Sequence, residues 1–116
     1  IFIAAAMINP DGIDANHEWI SLINLGNTPV HITGWKIKDN IGEIVIDITN
    51  IVGDVNLAPG MSVTIKLDHT LRLSNDGDTI KLYDANGARI DRVTYQKRMV
   101  QVGKPVLFLS PKDMLD

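Results

Sequence analysis

An all-β fold made of short antiparallel strands is predicted by three features of the 116-residue sequence. Turn clusters rich in Gly, Pro, Asn and Asp recur about every ten residues, which is typical of a sandwich or barrel. The runs between these clusters alternate apolar and polar residues, so that every second side chain lies on the same face of a strand. No long helix is predicted, because the best helical candidate, residues 25–37, is interrupted by Gly26, Pro29 and Gly34.

The first half of the chain is predicted to contain four strands, at residues 1–8, 18–24, 35–39 and 44–48. The first is apolar on both faces, as expected of a strand that is covered on two sides. In the second, Ile20 and Leu22 share one face and Trp19 lies on the other. In the third, Trp35 and Ile37 alternate with lysines, so we expect both to point into the core.

The second half is predicted to contain a strand at residues 62–67, a hairpin at 78–95 and a closing strand at 103–109. Asn86-Gly87 marks the hairpin turn, because both residues tolerate left-handed backbone conformations. Pro105 cannot donate a backbone hydrogen bond, so the closing strand is expected at the edge of a sheet.

Length and composition fit one globular domain. The chain is 45% hydrophobic and 22% charged, and a core of this size needs no covalent cross-link. We expect residues 1–109 to form the domain and residues 110–116 a C-terminal tail. Cysteine is absent, which excludes disulfides and thiolate-bound metals.

The apolar opening at residues 1–8 is too short to cross a bilayer, and it lacks the basic flank and cleavage site of a signal peptide. We therefore expect no membrane insertion, and a cytoplasmic and an extracellular location both stay open. The chain starts without Met and inside a predicted strand, which suggests a piece of a longer protein.

The ordered motifs of the first 95 residues resemble the lamin tail domain, and residues 102–108 look like the closing strand of its bacterial versions. The residues that carry the resemblance are Asn9-Pro10-x-Gly12, Glu18-Trp19-Ile20-x-Leu22-x-Asn24, Gly34-Trp35-x-Ile37-x-Asp39, Leu57-x-Pro59-Gly60, Leu73-x-Asn75-x-Gly77-Asp78-x-Ile80-x-Leu82-x-Asp84-x-x-Gly87 and Asp91-x-Val93-x-Tyr95.

The resemblance implies an immunoglobulin-like antiparallel β-sandwich, placed at the C-terminal end of a longer bacterial protein. Relatives in nuclear lamins bind proteins and chromatin, and bacterial relatives often accompany nucleases, hydrolases or surface proteins. The resemblance carries no catalytic residue set, so we expect a binding or accessory module and not an enzyme.

Candidate chemistry is sparse. His17, His31 and His69 share no metal-ligand spacing and are most simply surface histidines. Nucleophile and phosphate-loop motifs are absent from the sequence, so we expect no catalytic residues, no metal and no cofactor.

An acidic loop offers one alternative, a calcium-stabilised extracellular adhesion module. Asp11, Asp14, Asn16 and Glu18 supply the hard oxygen ligands that calcium prefers. Their spacing differs from the EF-hand pattern, however, and Asp and Asn are also ordinary turn formers.

The favoured function is protein–protein interaction within a larger protein, either with a separate partner or with the remainder of the parent chain. Trp19 carries this expectation if its side chain is exposed, since aromatic residues anchor interfaces. His17, Asp11 and Asp14 belong to the loop beside it.

The alternative function is DNA binding by a basic segment. Residues 1–58 hold two lysines against seven acids, whereas Arg89, Arg92, Lys97, Arg98 and Lys104 face only Asp91. Clustered cations are what phosphate contacts require. The net charge of −3 argues against a dedicated nucleic-acid binder.

Overall fold

A computed structural model describes residues 1–9, 17–40, 45–67 and 73–109. These residues form ten β-strands, one α-helical turn (α1, Thr49–Val52) and one 3₁₀ turn at Lys97–Met99. The strands are β1 (Phe2–Met7), β2 (Trp19–Ile23), β3 (Val30–His31), β4 (Lys36–Lys38), β5 (Val45–Asp47), β6 (Asn56–Leu57), β7 (Ser62–Lys66), β8 (Gly77–Tyr83), β9 (Arg89–Gln96) and β10 (Val106–Leu107). The predicted tail, residues 110–116, lies outside the described residues.

The strands are arranged in two four-stranded sheets and one short ribbon. The first sheet has the order β10-β1-β2-β7, and the second sheet has the order β5-β4-β8-β9. The ribbon pairs β3 with β6. Every pair is antiparallel, which confirms the predicted all-β antiparallel architecture.

The hydrophobic core is built from the inward faces of both sheets. The first sheet contributes Ile3, Ala6, Ile20, Leu22, Ile65 and Val106, and the second contributes Ile37, Ile46, Ile80, Leu82 and Tyr95. Each fully buried Leu or Ile side chain contributes about 1.5–3 kcal/mol from the removal of apolar surface from water. Trp35 joins the same cluster, as predicted.

The predicted hairpin is confirmed as β8 and β9. Residues 84–88 connect them, and Asp84 organises the turn by accepting hydrogen bonds on Oδ1 from the backbone N–H groups of Asn86 and Ala88, both at 2.9 Å. Gly87 has a φ of 86°, which glycine adopts without a steric cost. The predicted closing strand is also confirmed, since β10 lies at the edge of the first sheet.

The prediction that the first strand is covered on both faces is wrong. A β-bulge at Ala4 shifts the register between Ile3 and Ala5, so that Ile3 and Ala6 both point into the core although they are three residues apart. The other face of β1 points outward, and Phe2 on that face is 41% exposed.

The helical turn α1 was not predicted. Two side-chain contacts fix its start: Thr49 N donates to Asp47 Oδ1 at 3.1 Å, and Gly34 N donates to Thr49 Oγ1 at 2.7 Å. A single turn leaves no periodic signal in a sequence.

Within the described parts of the chain, no helix is long and apolar enough to cross a membrane.

Candidate binding surfaces

Trp19 lies half-buried on the outer face of the first sheet. Its strand alternates so that Ile20 and Leu22 enter the core while Trp19 points away from it. The register places Trp19 between Met7 on β1 and Lys66 on β7. Of the other residues predicted to bind protein, His17 is exposed beside Trp19, and Asp11 and Asp14 lie outside the described residues.

Trp19 belongs to an apolar face, in which Ser21 is the one polar residue and lies between Trp19 and Ile23 on β2. We define this apolar face as Phe2, Ala5, Met7, Trp19, Ile23 and Leu107, which come from β1, β2 and β10. Cross-strand pairs connect its members directly: Phe2 pairs with Ile23, Met7 pairs with Trp19, and Ala5 pairs with Leu107. Leu107 is the most open member at 68% exposure. Directly paired side chains lie close enough to form one surface.

A polar border follows the apolar face on one side. The outward residues of β7 are Ser62, Thr64 and Lys66, and they pair with Ile23, Ser21 and Trp19 of β2. The surface therefore changes across the sheet from apolar on β10 and β1 to hydroxyl-bearing and cationic on β7. An apolar centre with a polar border is typical of protein interfaces.

The outer face of the second sheet is basic. We define this basic face as Lys36, Lys38, Lys81, Arg89 and Arg92, from β4, β8 and β9. Lys38 pairs with Lys81, and Lys81 pairs with Arg92, so three cations stand side by side across three strands.

The next set of cross-strand neighbours on the basic face, beside Lys38, Lys81 and Arg92, contains an aromatic ring. Tyr83 pairs with Lys36 on one side and with Arg89 on the other. Lys38 Nζ lies 4.6 Å from the centroid of the Tyr83 ring. This distance is within the range of a cation–π interaction, so one face of the ring is covered by an ammonium group.

Only part of the predicted basic segment lies on this face. Arg89 and Arg92 do, and Arg98 lies farther along, where its Nε donates to Gln96 Oε1 at 2.9 Å. Lys97 Nζ instead lies 3.8 Å from Asp76 Oδ1, and Lys104 lies in the connection that leads to β10 of the other sheet. The sequence interpretation left out Lys36, Lys38 and Lys81, which the pairing of β4 with β8 brings to the two arginines.

The described residues hold one hydroxyl–histidine–carboxylate arrangement, and its order does not suit catalysis. Thr33 Oγ1 lies 2.7 Å from His31 Nε2 and donates to Asp54 Oδ1 at 3.0 Å. The hydroxyl proton therefore goes to the carboxylate and not to the imidazole, whereas nucleophilic catalysis needs the imidazole to accept it.

No metal-binding group of three or more His, Asp or Glu side chains is present in the described ranges. His69 lies outside those ranges, as do Asp11, Asp14 and Asn16 of the acidic loop. The calcium alternative therefore stays a prediction.

Glu18, the last residue of the acidic loop, has a structural role. Its side chain is buried, and Oε2 accepts a hydrogen bond from Leu73 N at 3.1 Å. Tyr95 Oη donates to the backbone oxygen of Ser74, the residue after Leu73, at 2.6 Å. Burial raises the pKa of Tyr95, and the negative charges of Asp78 and Glu18 raise it further. The Glu18 contact attaches the segment that leads into β8 to the residue before β2, and the Tyr95 contact attaches the same segment to β9.

The two packed antiparallel sheets and the two unlike outer faces define an immunoglobulin-like β-sandwich module. The chain belongs to the lamin tail domain family, whose sequence model matches residues 1–97. Domains of this family are non-catalytic in general. A comparison with curated proteins finds no match. The match includes all five residues of the basic face but ends before β10, which supplies Leu107 of the apolar face.

Proposed function

We propose that this chain is a non-catalytic binding module that uses its apolar face to dock a protein surface. The observation that carries the proposal is the extension of the apolar face over β10, β1 and β2. Single exposed apolar residues are common on folded proteins, whereas contiguous apolar patches mark interaction sites. Trp19 is the aromatic anchor of this patch, and Leu107 and Phe2 are its most exposed members.

The gradient across the face defines the chemistry of the partner. Aliphatic side chains of the partner would cover Phe2 and Leu107, since these offer no polar group. The partner's hydroxyl and carboxylate groups would face β7. On that strand, Lys66 lies directly opposite Trp19. The partner is either a separate protein or another part of the parent chain, and both present the same kind of surface.

Photo-crosslinking tests the proposal while the partner is still unidentified. A photoreactive phenylalanine analogue is placed at position 107, or at position 2, in the chain expressed from its natural reading frame. The matched control places the same analogue at Val45, which is 42% exposed but lies on the outer face of the second sheet. We expect one defined protein product from positions 107 and 2 and none from position 45.

Competition makes the test specific. Excess unlabelled 116-residue chain should suppress the product, whereas the double variant Phe2→Ser, Leu107→Ser should not. Both positions are exposed strand residues, so these substitutions are expected to change stability by less than about 0.5 kcal/mol each. Equal labelling from position 45, or equal competition by the double variant, would overturn the proposal.

A further inference from the structure

We propose that the free edge of β7 pairs with the same edge of a second copy of this chain, so that two domains form a two-fold symmetric dimer. β7 is the last strand of the first sheet, and among the described residues only β2 pairs with it. The inference does not depend on the proposed function, because it uses the edge of this sheet and not the apolar face on its outer side.

The backbone groups of every second residue of β7 point away from β2. Leu67 N donates to Glu18 O at 3.1 Å and Asn24 N donates to Met61 O at 3.0 Å, which defines the hydrogen-bonded pairs at the two ends of the strand. The register between these ends is regular, so the direction of the backbone groups alternates along β7. Three residues direct their N–H and C=O groups to the free edge, where no described group bonds to them: Ser62, Thr64 and Lys66.

The other edges of the two sheets carry features that oppose pairing. β10 is two residues long and follows Pro105, and β5 is three residues long. β9 is longer, but its register with β8 is irregular, and two of its N–H groups already donate to side chains: Arg92 N to Asp91 Oδ1 at 2.8 Å and Gln96 N to Met99 Sδ at 3.4 Å. Short strands, proline and bulges protect an edge from pairing. β7 has five residues in a regular register and none of these features.

The sequence of β7 complements itself when two copies run antiparallel with Thr64 at the two-fold axis. On the outer face, Thr64 then lies opposite Thr64 of the second copy, and Ser62 lies opposite Lys66. On the core side, the half-buried Val63 lies opposite Ile65. Hydroxyl pairs and pairs of β-branched side chains both stabilise neighbouring strands. All three edge-facing residues of each copy exchange backbone hydrogen bonds in this register.

Lys66 distinguishes this register from its alternatives. With Thr64 on the axis, the two Lys66 residues are four positions apart along the strands, or about 13 Å. A register centred on Lys66 would place the two ammonium groups directly opposite each other, which destabilises a sheet. A register centred on Ser62 would place Lys66 opposite residue 58, outside β7.

The dimer would present both apolar faces on one side. The two-fold axis is perpendicular to the sheet, so the outer faces of the two copies point in the same direction. A single sheet results, with the order β10-β1-β2-β7-β7-β2-β1-β10. Five paired residues per copy form a small interface, so we expect weak association of free chains. Holding two parent chains close together would strengthen it through effective concentration.

Charge reversal at the two-fold position tests the pairing. Sedimentation equilibrium of the 116-residue chain, from micromolar to millimolar concentration, should show a mass that rises towards that of a dimer. Thr64→Lys and Thr64→Glu each place like charges opposite each other and should weaken self-association. An equal mixture of the two variants should associate about 2–30-fold more tightly than either variant alone.

The matched control places the same two substitutions at Thr94, an exposed threonine of β9. Self-association should not change in these variants, either alone or mixed. Melting temperatures report folding separately, and Thr64 is itself an exposed residue, so lost association in its variants is not caused by unfolding.

Cysteine trapping tests the register. The natural chain lacks cysteine, so an introduced thiol can form a disulfide only with a second copy. Thr64→Cys should form a linked dimer about tenfold faster than Thr94→Cys, since paired Cα atoms about 5.5 Å apart suit a disulfide. Ser62→Cys and Lys66→Cys should link to each other in a mixture, whereas neither should link to itself.

Several results would overturn the proposal. They are a chain that stays monomeric at millimolar concentration, a mixture of Thr64→Lys and Thr64→Glu that is no tighter than its components, and self-linking of Ser62→Cys as fast as the mixed reaction. Labelling of a different protein and of no second copy, by a photoreactive analogue at position 64, would assign the edge to a partner's strand instead. Labelling from positions 2 and 107 is measured separately, so failure of the dimer and failure of the proposed function are distinguishable.

Discussion

The side chain of Asp91 on β9 accepts a hydrogen bond from the backbone N–H of Ile3 on β1, with an Oδ2–N distance of 2.7 Å. This contact joins the edge of the second sheet to the first sheet, where β1 has just entered its bulge. The same carboxylate accepts from Arg92 N through Oδ1 at 2.8 Å. Asp91 therefore links the two sheets at this side of the sandwich.

Replacing Asp91 by Ala should destabilise the domain by about 1.5–3 kcal/mol, the usual range for a hydrogen bond to a charged group. The loss would appear as a lower midpoint in urea with an unchanged slope. Asp76→Ala is the control, because its ion pair with Lys97 is 3.8 Å long and exposed, and such pairs contribute about 0–1 kcal/mol. Equal effects of the two substitutions would contradict the closing role of Asp91.

Asn24 should be the most sensitive polar position of the loops. Its buried Nδ2 donates to Thr28 O and Leu57 O at 2.9 Å each, and its Oδ1 accepts from Gly26 N at 2.9 Å. Asn24→Ala leaves three backbone groups without their partner, so we expect a loss of about 2–3 kcal/mol.

The exposed Asn56→Ala, on the neighbouring ribbon strand, is the control for Asn24 and should stay within about 0.5 kcal/mol. Chemical denaturation of both variants gives the comparison. A loss below about 1 kcal/mol for Asn24→Ala would show that water replaces the amide.

Alkaline pH should destabilise the fold through Tyr95. Its pKa is raised in the folded state by burial and then by Asp78 and Glu18, whereas an unfolded tyrosine ionises near pH 10. Above that pH the unfolded chain releases a proton that the folded chain retains, so stability falls as pH rises. The contribution is complete below about pH 10 and is lost progressively above it.

Urea midpoints at pH 8 and pH 11 measure this effect. Tyr95→Phe removes the titrating group and also the hydrogen bond to Ser74 O, so it should be less stable at pH 8 and show a smaller alkaline loss. Tyr83→Phe, on the outer face of the same sheet, is the control for the aromatic substitution. An alkaline loss unchanged in Tyr95→Phe would refute the assignment.

Lys81→Gln should stabilise the domain at low salt. Lys81 stands between Lys38 and Arg92, and relief of two repulsive pairs is expected to contribute about 0.5–1 kcal/mol, or about 2–4 °C in Tm. The gain should shrink in 1 M salt, where charges are screened within about 3 Å. Lys66→Gln on the first sheet lacks such neighbours and is the control; a lower Tm for Lys81→Gln would show that the lysine stabilises the fold.

The β8–β9 hairpin and the burial of Trp35 were predictable because their signals are local. Asn86-Gly87 defines a turn by its own backbone preferences, and the alternation around Trp35 defines a face within a single strand. The bulge at Ala4 was not predictable, because a run of small apolar residues fits either register.

The side-by-side arrangement of Lys38, Lys81 and Arg92 also could not be predicted from the sequence alone. Each residue could be placed on an outward face from its own strand, but their contact depends on which strands pair and in which register. That pairing is decided by core packing among distant segments, so the basic segment of the sequence differs from the basic face of the fold.

The short strand β10 has a practical consequence for anyone who trims this domain. The family match ends at residue 97, yet residues beyond it seal the sandwich: Val106 enters the core, and Phe108 N donates to Ala4 O at 2.9 Å. A chain shortened to the family boundary would expose the hydrogen-bonding edge of β1 as a template for a neighbouring molecule. The folding unit therefore extends at least eleven residues past the family boundary, to Phe108.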